Sequence, residues 1–256
     1  LFYCRISLFT EQTASQLEAE LIFNIAKTTR GIIIDLRNNP GGLLEAAISC
    51  AALFVEKNSL IVSTKNLHGK TMAHYHTQRH PLIKPVPLVL LVNRTTASAA
   101  EIFAQALRIY AAQAAKGPFV TIVGTRTAGK GSLQKIRPLY DTYALKITTA
   151  VSYMADGTTF NAQGIKPDFS LPEAALNESI MLDHFTELPK KSVPTHKKNL
   201  LALLNINSSD SYITCACSLI ALISHVHTYT PHLVSTYPRK LSWLKAHYIL
   251  PNPFTK

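Results

Sequence analysis

The chain alternates short, wholly apolar runs with longer stretches whose apolar residues recur at helical spacing. Leu1 to Thr10 alternates in polarity and predicts a strand. After it, Leu17, Leu21, Ile22 and Ile25 form one apolar stripe, which predicts a helix with Thr13 as N-cap and Gly31 as its stop. Ile32-Ile33-Ile34 is short and continuously apolar, as a strand covered on both faces would be. The turn-rich stretch Asp35-Leu36-Arg37-Asn38-Asn39-Pro40-Gly41-Gly42 then opens a second helix over Leu43 to Phe54. A strand is expected near Leu60 to Thr64, followed by a polar loop through His80. Val86 to Val92 is another buried strand. It runs into Asn93-Arg94-Thr95-Thr96 and a third helix beginning near Ser98. Phe119 to Val123 repeats the buried-strand pattern, Thr125 to Gly131 is a glycine-containing loop, and Tyr143 to Tyr153 predicts a long strand. Strand and helix in alternation predict an α/β domain with parallel pairing and crossover helices.

The pattern changes after Leu171-Pro172. Residues 173–198 are polar and carry Pro189 and Pro194; residues 199–224 predict a helix or two; residues 228–256 carry four prolines and show no clean period. The expected organisation is therefore a core over 1–172 and a helical or irregular extension over 173–256. A length of 256 residues with 47% hydrophobic content suits one large domain or one domain plus an appendage. The longest apolar run, Ile213 to Ile223, is about half of the ~20 residues a spanning helix needs. No basic-then-apolar leader opens the chain and its first residue is Leu1, so a fragment or truncated product is expected.

Net charge is +11, but the charges are scattered. The densest pairs, Lys190-Lys191 and Lys197-Lys198, sit among prolines without interleaved aromatics, which reads as a solvated linker and not as a nucleic-acid surface. Cys4, Cys50, Cys215 and Cys217 make neither a disulfide framework nor a usual zinc or redox spacing. His68, His74, His76 and His80 share a polar loop, and no nearby Asp, Glu or Cys completes a metal site with them. No metal or cofactor is expected.

Two segments carry candidate chemistry. In Asn93-Arg94-Thr95-Thr96-Ala97-Ser98-Ala99-Ala100-Glu101-Ile102 a buried strand meets a helix start, with Ser98 at the turn. Small neighbours leave its hydroxyl accessible, and the helix N-terminus offers unpaired N–H groups for a developing oxyanion. Taken alone, Ser98 reads first as an N-cap, and Glu101 as a first-turn charge and not an acid catalyst. The second segment is Gly124-Thr125-Arg126-Thr127-Ala128-Gly129-Lys130-Gly131-Ser132-Leu133-Gln134. It has phosphate-loop spacing, but Gly131 stands where the magnesium-binding hydroxyl belongs, which argues against a nucleotide.

In order along the chain, four stretches resemble the carboxyl-terminal processing (tail-specific) proteases of the S41 serine peptidase family. They are Asp35 to Gly42, Thr96 to Ile102, Gly129 to Gln134, and Gln163-Gly164-Ile165-Lys166-Pro167-Asp168. The resemblance covers roughly residues 1–171 and implies a ClpP/crotonase-like α/β core. It implies Ser98 as nucleophile, Lys130 as general base, Gln134 as the residue that orients the lysine, and the N–H groups of Ala99 and of Gly41 or Gly42 as oxyanion hole. Asp35 and Arg37 are expected to support the turn that positions Gly41. A serine hydroxyl attacks a carbonyl only when a neighbour takes its proton, and a lysine takes it only when neutral, as it is where water is excluded. The resemblance further implies protein or peptide substrates cut near their C-termini, an acyl-enzyme, a periplasmic or envelope location, and homo-oligomerisation through a C-terminal helical extension.

Two departures from the family pattern stand out. Lys130 follows Ser98 by 32 positions, a long interval whose excess falls in Ala111 to Pro118. The N-terminal helical and PDZ regions of the family are not in this sequence. A non-catalytic peptide-binding or scaffold protein that retains the motifs is the alternative reading.

Overall fold

In the computed structural model the described residues are 1–25, 29–113, 119–140 and 143–171. The expected extension over 173–256, with Cys215 and Cys217, lies outside them.

The three continuously apolar runs lie at the centre of one five-stranded parallel sheet. β1 (Phe2–Arg5), β2 (Ile32–Asp35), β5 (Leu88–Val92), β6 (Val120–Gly124) and β9 (Phe169–Ser170) lie side by side in that order. Each neighbouring pair is parallel. β2, β5 and β6 are buried along their whole length, which is why they read as uninterrupted apolar runs and not as alternating ones. The second sheet is antiparallel, with β4 (Thr71–His76), β3 (Leu60–Lys65), β8 (Tyr143–Met154) and β7 (Ser132–Tyr140) in that order.

Three helices connect and cover these strands: α1 (Thr13–Asn24), α2 (Leu44–Ala51) and α3 (Ala99–Gln113). α3 packs on α2 and β6 and reaches β3 and β8, so it joins the two sheets. Its Phe103, fully buried, meets Phe9 and Phe54 with ring centroids 5.7 and 6.3 Å away. Tilted and edge-on ring pairs of this kind add about 0.5–1.5 kcal/mol each beyond their buried area. Among the described residues no helix is long and apolar enough to cross a membrane.

Several expectations need correction. The first strand ends at Arg5, because Ile6 N–H bonds the Asp35 carbonyl at the end of β2 and the chain leaves the sheet there; Phe9 returns only for an isolated bridge to Gly42. Thr13 is not the N-cap. Gln12 stands there, and Thr13, buried, turns its hydroxyl back to the Thr10 N–H (2.9 Å) and the Leu8 carbonyl (3.1 Å). Ile22 is exposed and does not belong to the core stripe. The histidine loop is partly the edge strand β4, where Thr71 to His76 pair with β3; its outward-facing polar residues hid it. β7 also went unread, since Pro138 lies inside it. Proline is tolerated there because β7 is an edge strand.

Cys4 and Cys50 are free thiols, Cys50 fully buried. Burial, assisted by the nearby Glu20 and Asp35 carboxylates at Cys4 and by Cys4 itself at Cys50, pushes both thiols up to about 12. The reactive thiolate is therefore scarce at neutral pH. At pH 8 iodoacetamide should leave both residues unlabelled in the folded chain and label them rapidly in urea. Peptide mass spectrometry reads this directly, and rapid labelling of Cys50 without urea would contradict the packing.

Candidate active site

The site lies at the carboxyl ends of β2, β5 and β6, where an open parallel sheet leaves its crevice. Three turns meet there, and each has its own anchors.

The turn after β2 is organised by Asp35. Its carboxylate accepts from Arg37 N–H (2.9 Å), Arg37 Nε (2.9 Å), an Arg37 terminal nitrogen (2.6 Å) and Tyr3 Oη (3.0 Å). Burial, then that carboxylate, raise the Tyr3 hydroxyl above the ordinary phenol value. Buried Asn39 ties the turn on three sides. Its Nδ2 donates to Ile6 O (2.8 Å), its Oδ1 accepts from Gly41 N–H (2.8 Å), and its carbonyl accepts from Ala97 N–H (2.9 Å).

The turn after β5 carries Ser98. Thr96, buried, donates its hydroxyl to Leu36 O at 2.8 Å and accepts from Asn93 N–H at 3.0 Å, joining this turn to the previous one. Ser98 has φ of 57°, a left-handed conformation rare for a residue with a side chain. It sits immediately before α3, half-buried. Ala99 N–H, the first of the helix, donates to no acceptor among the described residues, and neither does Gly42 N–H. Gly41, with φ of 106°, comes so close that a Cβ on it would lie 2.7 Å from Ser98 Cβ and 3.0 Å from Ala99 N. Only glycine fits.

The turn after β6 carries Lys130, and Glu101 holds it. Glu101 is fully buried in the first turn of α3. Oε2 accepts from Ser98 N–H at 2.9 Å and from Lys130 N–H at 2.8 Å. Oε1 accepts from Gly129 N–H at 2.7 Å and from the Thr127 hydroxyl. Because one oxygen receives both, the Ser98 and Lys130 nitrogens can stand no farther apart than about 6 Å. Ala128 N–H closes the turn onto Thr96 O at 3.0 Å. The fourth motif packs beneath it. Thr127 Oγ1 accepts from Ile165 N–H (2.7 Å), and Asp168 Oδ2 accepts from Ile122 N–H (2.9 Å).

The structure thus brings the backbones of Ser98, Ala99, Gly41, Gly42 and Lys130 into one cluster. Lys130 is exposed, and Gln134, on β7 opposite Thr148, is exposed too. Among the described residues no side-chain hydrogen bond joins Ser98, Lys130 and Gln134 to one another. Glu101 is the residue whose role the sequence hides, since it reads there as a first-turn helix charge. The signal was present: Ser98-x-x-Glu101 is a capping-box spacing. Half of that box forms, from Glu101 back to Ser98 N–H; Glu101 N–H bonds Ser98 O at 2.9 Å and not the serine hydroxyl, which has no hydrogen bond among the described residues.

The sequence model of peptidase family S41 matches residues 1–171. A carboxy-terminal-processing protease of Bartonella bacilliformis (strain ATCC 35685 / KC583 / Herrer 020/F12,63) is 38% identical over 170 residues, 65% of this chain and 37% of that protein. The carboxy-terminal processing protease CtpA of Bacillus subtilis (strain 168) is 36% identical over 173 residues, 67% of this chain and 35% of that protein. The chain therefore spans little more than a third of the length of these curated relatives. Among solved structures, a photosystem II D1 C-terminal processing protease superimposes with a TM-score of 0.59 at 30% identity, covering 66% of this chain and 42% of that one.

Asn39→Ala should cost about 1–3 kcal/mol in urea denaturation, because it strands the buried Ile6 carbonyl and Gly41 N–H together. Unchanged stability would mean that those groups find other partners.

Proposed function

The chain belongs to peptidase family S41, and we propose that it carries the catalytic core of a serine endopeptidase that cuts protein substrates near their C-termini. Residues 1–172 are the peptidase core in this reading and 173–256 an extension. The carrying observation is the shared oxygen of Glu101, which holds the turn of the proposed nucleophile beside the turn of the proposed base.

Ser98 Oγ attacks the scissile carbonyl and Lys130 Nζ takes the proton. The lysine is exposed in the free chain. A substrate strand laid across it excludes water, which favours the neutral amine the step needs. Gln134 orients that amine from β7. The oxyanion is received by the uncommitted N–H groups of Ala99, at the N-terminus of α3, and of Gly42. Gly41 N–H already serves Asn39, so Gly41 contributes close approach and not a donor. Lys130 then returns the proton to the leaving amine, the acyl-enzyme forms on Ser98, and water releases the new C-terminus by the same steps. The supporting features are the left-handed strain at Ser98 and the glycine fit of Gly41 against it. The proposed location is the periplasm or cell envelope, by family resemblance.

Cleavage of an unstructured protein substrate by the full chain tests the reading. Ser98→Ala and Lys130→Ala should each lower kcat/KM by about a thousandfold or more. Equal cleavage by all three chains would refute the assignment, and peptide binding without cleavage would leave the non-catalytic reading.

A further inference from the structure

We infer that Glu101, acting with the Thr127 hydroxyl, is the positioning residue of this site, setting the separation between nucleophile turn and base turn. The catalytic consequence rests on the Ser98/Lys130 reading above; the latch itself rests on geometry alone.

Glu101 is fully buried, and among the described residues no Lys, Arg or His forms an ion pair with it. A carboxylate is rarely kept in such a place unless donors replace its water. Here four do. Only Ser98 N–H belongs to its own helix end; Thr127 Oγ1, Gly129 N–H and Lys130 N–H lie 26 to 29 positions further along the chain. A first-turn charge that merely favoured the helix dipole would need none of these three. Thr127 extends the latch. It donates to Glu101 and accepts from Ile165 N–H, so the fourth motif is tied to the same carboxylate.

The chemistry of the group is specific to the task. All four partners are donors, and a carboxylate offers only acceptors. A glutamine here would turn its NH2 toward two donors and break one side of the latch. An aspartate is one methylene too short to meet the three distant donors from the same helix position. A small shift of the loop then separates Lys130 from Ser98, and a misplacement of about 1 Å costs on the order of a hundredfold in rate.

The test uses the full chain with Glu101→Gln, Thr127→Val and Thr127→Ser, read by hydrogen exchange and by peptidase kinetics, with thermal unfolding in parallel. Exchange across residues 125–131 should quicken in Glu101→Gln and Thr127→Val and stay at wild-type rate in Thr127→Ser. Over the same series kcat should fall about a hundredfold in Glu101→Gln and tenfold or more in Thr127→Val, KM should stay within about twofold, and Thr127→Ser should recover most of the activity. Wild-type exchange in both Glu101→Gln and Thr127→Val would overturn the latch. So would faster exchange spread evenly over the chain with kcat and KM altered together, which marks plain destabilisation. If the wild-type chain cleaves nothing, the endopeptidase reading fails while exchange still decides the latch.

Discussion

The Glu101 carboxylate is the contact on which the rest of the site depends. It takes donors from both sides of the crevice, Ser98 on its own helix and Thr127, Gly129 and Lys130 on the loop after β6. A loop is ordinarily the most adjustable part of a domain. This one is held by charge-assisted hydrogen bonds in a place that water does not reach, where such bonds are stronger and their loss costs more.

The second constraint is steric. The Gly41–Gly42 turn passes so close to Ser98 that any Cβ at Gly41 would collide with it. Asn39 holds the turn at that distance by bonding Ile6, Gly41 and Ala97 at once. Asp35 and Arg37, expected to support this turn, do so through a carboxylate that takes three donors from Arg37 and a fourth from Tyr3. Two buried carboxylates, Asp35 and Glu101, therefore organise the opposing walls of one crevice. Ser98, bonded to Glu101 through its N–H, holds a left-handed φ of 57°.

The parallel sheet was legible because its middle strands are buried on both faces and so are continuously apolar. The same physics made β4 and β7 illegible. Edge strands tolerate histidine, lysine or proline, and β4 and β7 are the two edges of their sheet. The helix positions were legible from their stripes, but their ends were not, since Thr13 spends its hydroxyl on the preceding turn and not on capping.

What the sequence by itself determined was the kind of chemistry and its order along the chain: a serine at a strand-to-helix turn, glycines after β2, and a lysine between glycines after β6. Those features follow from local rules, namely which residues turn, which leave room and which can carry a proton. Only the tertiary structure decided how the pieces meet. It committed the Gly41 N–H to Asn39, left those of Gly42 and Ala99 without an acceptor among the described residues, and turned Glu101 inward, away from solvent. A carboxylate three residues into a helix reads the same in sequence whether it faces water or four donors. The difference is made by a loop 26 to 29 positions away, and the packing of α3 against β6 brings that loop to it.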